Sequence, residues 1–282
     1  MFVIIGIVLV FGALLGGFMV SGGNPLSLIV PGEFIIILGV ATGSLIIANP
    51  LPILKQIIAA ALGTLKPPKV SKAAYLDLLK MLYELFQFAK REGLIALEQH
   101  VENPESSSII SKYPTFLANH HAVDFLCDTL KVVLSGGVPA HDLEELMDMD
   151  LEALHEEEMV IPGALQTFAD AFPGIGIVAA VLGIIVTMGS INEGAEAVGH
   201  HVAGALVGTF LGVLMSYGIV GPIASLVGKT LAKEAKYLLS IKAALLSFAK
   251  GAPATVAIEY GRRAIDPEYR PTFKETEENL KR

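Results

Sequence analysis

Four apolar stretches, each long enough to cross a bilayer as a helix, constrain this chain of 282 residues more than any other feature. A helix needs about 20 apolar residues to cross the hydrocarbon core. No water there can satisfy the backbone, so the segment must pair its own N–H and C=O groups, as a helix does. The first stretch runs from Phe2 to Val20 and the second from about Leu28 to Ala48, with Pro31 and Glu33 near its start. Asn49 and Pro50 end it, since proline does not continue a helix. The third covers about Ala171 to Met188 and the fourth about Val202 to Val227. Two polar turns, Ser21 to Ser27 and Gly189 to His201, connect them in pairs. No basic stretch precedes Phe2, and the length of the first run suits a retained span rather than a signal peptide.

The distribution of charge gives the orientation. Nine of the 20 Lys and Arg lie between Lys55 and Lys131 and eleven between Lys229 and Arg282, with none in the two short turns. Basic residues stay on the cytoplasmic side, so both termini are expected inside. The chain divides into residues 1–48 (spans one and two), 49–169 (a cytoplasmic helical domain), 170–228 (spans three and four) and 229–282 (a cytoplasmic helical tail). The expected fold class is all-α, a polytopic membrane protein with a split cytoplasmic domain. In the first cytoplasmic part, Tyr75, Leu78, Leu79, Leu82, Leu85, Phe86 and Ala89 recur at the three- and four-residue steps of an amphipathic helix. Further helices are expected over Phe116 to Leu134, Asp142 to Glu158 and Lys229 to Lys250.

Several chemistries are excluded. The net charge of −8 offers no basic face for nucleic acid. The single cysteine, Cys127, rules out an internal disulfide and multi-cysteine metal sites and reads as a small buried apolar residue. Nine carboxylates between Asp142 and Glu158 read as a solvated face, and His155 has no metal spacing with them. No nucleophile elbow, phosphate loop or paired catalytic carboxylates occur, so neither an enzyme nor a cofactor site is expected.

Inside the spans the useful signals are few. The central parts of spans three and four carry no Asp, Glu, Lys, Arg or His, although proton relays normally use such groups. Glu33 is the only ionisable residue in any span and reads as a hydrated carboxylate at the outer end of span two. If the chain conducts, a partner must bring the titrating group. Pro173 and Pro222 lie toward the cytoplasmic ends of spans three and four. Singly they read as a first-turn residue and a terminal kink; as a pair they suggest a hinge. Gly204, Gly208 and Gly212 form a small-residue stripe for close helix packing, with Thr209 beside it and Tyr217 following. In the cytoplasmic part the helix is read as continuing past Gly93, which puts Arg91 and Glu98, seven residues apart, on one face with Leu94 and Ile95 between them. A solvated face is the simple reading of that charge pattern.

The segments PGEFIIILGVATGS, KREGLIALEQHVENP, FPGIGIVAAVLG, GTFLGVLMSYGIVGP and AIEYGRR, in this order and topology, resemble the MotA family, the larger membrane subunit of the bacterial flagellar stator. The resemblance covers essentially the whole chain. It implies a homo-oligomer, a pentamer in the family, around a dimer of a single-span MotB-type partner. That partner would supply the titrating aspartate and anchor to the cell wall. Ion flow in the inner membrane would then drive this subunit against a rotor switch protein of the flagellar C-ring. By the same resemblance, Pro173 and Pro222 match the prolines that couple ion flow to conformational change. Glu98 matches the acidic rotor-facing residue. The basic rotor-facing position falls on Lys90, an arginine in well-known members, with Arg91 adjacent; either can carry the contact. Thr209 matches a threonine near the ion path, and Tyr217 is grouped with it. Ala180 stands where sodium-using relatives have threonine, which favours a proton. No nucleic acid is implied, and membrane lipid surrounds the spans. The alternatives are a three-span ExbB- or TolQ-type energiser and a stand-alone ion transporter.

Overall fold

The computed structural model describes residues 2–66 and 70–281, and the secondary structure it contains there is helical. In order, the helices are α1 Phe2–Val20, α2 Pro31–Ala48, α3 Leu51–Gly63, α4 Lys72–Glu92, α5 Glu98–Glu102, α6 Pro114–Leu117, α7 His120–Ser135, α8 Ala140–Gly189, α9 Ala195–Val213, α10 Gly221–Ala249, α11 Ala254–Ala264 and α12 Phe273–Lys281. A π-helical stretch, Leu214–Val220, joins α9 to α10 without a break. The chain forms two compact units, residues 1–67 with 158–229, and residues 68–157 with 230–282.

The first unit holds the apolar stretches. Four helical segments are long and apolar enough to cross a membrane: Phe2–Val20, Pro25–Ala48, Ala140–Gly189 and Ala195–Ala249. Extended Ile29 and Val30 break the second of these between a 3-10 turn, Pro25–Leu28, and Pro31. Pro31 opens α2, where its missing N–H would have lacked a helical partner in any case. The expected edges of the other two move. Helix α8 begins at Ala140, so the third apolar stretch has no helix start at Ala171, and α9 begins at Ala195 inside the residues read as a polar turn. Residues 229–250 likewise form no separate helix but continue α10. Pro162 and Pro173 lie inside α8 without ending it, so apolar and polar parts share one helix there.

The second unit packs around α4. Ser71 caps its first turn by accepting the Ala74 N–H at 3.2 Å, a contact worth about 1 kcal/mol. Tyr75, Leu78, Leu79, Leu82, Leu85, Phe86 and Ala89 are all buried, as their spacing requires. They meet Tyr237, Leu238, Ile241 and Leu245 of α10 and Ile258 of α11 in one core. Phe86 stacks on Phe248 with ring centroids 4.2 Å apart. Gly261 of α11 lies so close to α10 that a Cβ there would stand 3.1 Å from the Ser240 carbonyl, and Ser240 Oγ donates to the Gly261 carbonyl at 2.9 Å. Helix α12 is tied back by Asn279, whose side chain donates to the Leu76 carbonyl at 2.9 Å. Cys127 sits in this core, and burial pushes its thiol up to about 11.

The expected helix over 116–134 is two helices. Asn119 starts α7 by accepting the Ala122 N–H at 3.3 Å, which favours a fresh helix start over continuation.

Candidate functional site

In the first unit, α8 and α9 touch through backbone. A Cβ on Gly176 would stand 2.9 Å from the Gly208 carbonyl and 3.2 Å from Gly212 Cα. Reciprocally, a Cβ on Gly212 would lie 2.5 Å from the Phe172 carbonyl and 3.0 Å from Gly176 Cα. Neither position has room for a side chain. Of the expected stripe, Gly208 and Gly212 lie in this contact, whereas a Cβ on Gly204 would meet only Val30 Cγ1 at 3.8 Å. Gly176 was not singled out in the sequence, because the spacing that reveals one glycine row says nothing about which row faces it.

Glu33 departs from its expected place. It is not a hydrated carboxylate: it is 6% exposed, in the first turn of α2. Its Oε1 lies 3.4 Å from where a Cβ on Gly183 would be, and its Oε2 fills the Cβ position of Gly208. Among the described residues Oε2 has no hydrogen-bond partner. Packing of α2 against α9 buries it, and the sequence alone gives no sign of that pairing.

The two prolines lie where these helices meet. Pro173 is inside α8, more than thirty residues from its start, so the first-turn reading fails. Proline brings no N–H, so the Ala169 carbonyl loses its helical donor. Pro222 follows the π-helical stretch, in which the Gly221 N–H reaches back to the Ser216 carbonyl. Such stretches are rare and tend to sit at functional places. A Cβ on Gly221 would lie 4.0 Å from Ala169 Cβ, so the turn before Pro173 meets the residue before Pro222. Phe172, Ile175, Leu211 and Val220 pack around this point. A third helical proline, Pro162, lies 3.6 Å from where a Cβ on Gly228 would be. Of the remaining expected residues, Ala180 is buried, Thr209 half-buried and Tyr217 exposed.

In the second unit Lys90, Arg91 and Glu98 are all exposed. The helix does not carry them on one face. It ends at Glu92, because Gly93 takes φ 89°, a conformation that favours glycine. A single 3-10 turn, Leu94–Leu97, then leads into α5, which begins at Glu98. Leu94 and Ile95 stay exposed between the charges, Ile95 at 78%. Behind them His100 is buried, with Nδ1 2.8 Å from Ser107 Oγ and its ring edge-on to Phe88 at 4.7 Å. Ser107 Oγ accepts the Ile109 and Ile110 N–H groups, so its own hydrogen points to His100. Burial lowers the imidazole's affinity for a proton.

Residues 4–93 match the family model for the motility protein A N-terminal region, and residues 118–239 that for the MotA/TolQ/ExbB proton channel family. The chain is 36% identical to motility protein A of Escherichia coli (strain K12) over 282 residues, 100% of this chain and 95% of the relative. It is 35% identical to the chemotaxis protein LafT of Vibrio parahaemolyticus over 98% of this chain and 97% of that one. The fold is similar to the flagellar MotAB stator complex from Bacillus subtilis, with TM-score 0.72 and 25% identity over 91% of this chain and 92% of that one. It is also similar in fold to MotAB of C. jejuni, with TM-score 0.77 and 22% identity over 96% and 98% of the two chains.

Apolar helices joined by a glycine-to-glycine contact, with a family match across it, define a multi-pass inner-membrane subunit of the proton-channel class. Within that class the chain belongs to the motility protein A family and is a flagellar stator proton-channel subunit. The ExbB- and TolQ-type alternative has less support.

Proposed function

We propose that this subunit assembles as a pentamer around a dimer of a single-span MotB-type partner, with both termini in the cytoplasm. Protons pass along the interface between the partner and the apolar helices, and their passage turns the subunit against a rotor switch protein. The observation that supports this best is the paired weakness at Pro173 and Pro222, where two helices lose backbone donors beside a π-helical stretch. A helix that lacks part of its ladder bends there at low cost, which is what coupling a local protonation to a larger movement requires. The MotAB complexes similar in fold support the partner.

The exposed Lys90, Arg91 and Glu98 are the groups we assign to the rotor, presented on two sides of the Gly93 turn. Thr209 is the hydroxyl we place near the ion path. Ala180 brings no side-chain oxygen there, and a sodium ion needs several oxygen ligands whereas a proton needs one carboxyl and a water chain. The test is purification with and without the neighbour-encoded membrane protein, followed by proton flux in liposomes. The complex is expected to conduct and the chain alone to be silent. Flux through the chain alone, or failure to co-purify with a single-span protein, would sink the assignment.

A further inference from the structure

Glu33 is 6% exposed, and its carboxyl is aimed into a notch between α2, α8 and α9 built from the smallest residues. The walls are Gly183 and Ala179 of α8 and Ala205 and Gly208 of α9. They are packed tightly: a Cβ on Gly183 would fall 2.7 Å from Ala205 Cβ, and one on Gly208 would fall 3.2 Å from Ala179 Cβ. A side chain on either glycine would meet the carboxyl of Glu33 or the methyl of the facing alanine. Within the notch Oε2 has no protein hydrogen-bond partner among the described residues.

An unpaired charge among apolar helices is costly, and a fold that merely needed to fill this notch could do so with a leucine or a glutamine. The position holds instead a group that can be charged or neutral. We propose that the notch is a proton-binding site that this chain owns, separate from any titrating group a partner supplies. The carboxylate takes a proton from a hydronium ion, releasing water, and becomes a neutral carboxylic acid. It returns the proton to water by the reverse step, and no other bond changes. The walls favour a proton over a metal cation, because Gly and Ala side chains add no oxygen to the single carboxyl, and hard cations need several. Glu33 lies in the first turn of α2 and touches the residue before Thr209. It therefore stands at one end of α2 and beside the turn of α9 that we place on the ion path. The use made of the bound proton rests on the proton-channel reading; its presence does not.

The test is infrared spectroscopy of the full chain in lipid nanodiscs, without a partner, titrated with acid and base. The wild type shows a carboxylic-acid carbonyl band whose titration differs from that of the surface carboxylates. Glu33→Gln, which keeps size and shape, loses that band. Gly208→Ala, which displaces the carboxyl, moves it. Identical spectra for wild type and Glu33→Gln overturn the site, and a band that disappears on adding sodium at fixed pH overturns its assignment to a proton. Proton flux through the complex with its partner is measured separately. A titrating band with no flux defect in Glu33→Gln removes the site from conduction, whereas no flux even in the wild-type complex counts against the channel reading and leaves the band intact.

Discussion

The carboxyl of Glu33 occupies the space in which Gly208 would otherwise carry a side chain. The two residues lie far apart in the chain, and each explains the other: the glycine admits the acid, and the acid fills the gap the glycine leaves.

Gly208→Ala therefore destabilises the first unit, by about 1–3 kcal/mol as overpacked substitutions do. Gly212→Ala, whose new Cβ would meet backbone at Phe172 and Gly176, is at least as damaging. Gly204→Ala, with only Val30 at 3.8 Å, is tolerated. Thermal unfolding of the three variants in detergent checks this order. Equal melting temperatures for all three would contradict the packing described.

Pro173→Ala and Pro222→Ala restore a backbone donor to each helix. The variants are expected to insert, to fold at least as stably as the wild type and to co-purify with the partner, but to lose torque. Swimming assays beside co-purification decide it. Full motility in both variants would return the prolines to an ordinary structural role.

Lys90, Arg91 and Glu98 are exposed, and single exposed charges contribute about 0–1 kcal/mol to a contact. One neutralisation is thus mild. Reversing all three charges together is expected to stop motility with membrane insertion unchanged. Normal swimming of that triple variant would remove these residues from the rotor contact.

Glu259 is gripped by Arg262 and Arg263, with three nitrogen-to-oxygen distances of 2.7 Å. The Arg262 hydrogen bonds hold its carboxyl at about 2, below the usual 4.5. A carboxyl with a lowered value stabilises the fold above its ordinary value and loses that contribution as pH falls through the lowered one. Glu259→Gln is expected to cost about 1.5–3 kcal/mol at neutral pH, the range for hydrogen bonds to charged groups. The gap narrows as the pH drops from 4.5 toward 2. Melting curves of wild type and variant across that range test it, and a gap independent of pH would refute it.

What was legible in the sequence follows the range of the forces involved. The apolar stretches and the buried face of α4 could be read because hydropathy and a period of 3.6 act locally: every residue named for that face is buried. The charge pattern reads as one helix continuing past Gly93, yet Gly93 ends it, because the chain takes φ 89° and turns into a 3-10 segment there. Pro173 looked like a helix start because the apolar composition begins beside it, but helical backbone and bilayer-crossing composition need not share an edge. The burial of Glu33 and the partner row at Gly176 depend on which helices meet, and nothing local records that.

The contact between Gly176 and Gly212 has one more consequence. Where helices interlock by side chains, knobs sit in holes and any slip must lift one out of the other. Here backbone rests on backbone at Gly176 and Gly212, while the methyls of Ala179 and Ala205 stand against Gly208 and Gly183 in the same seam. A slip along the helix axes would drive one of those methyls into a glycine backbone, so the seam keeps its register in the way of a key in its ward.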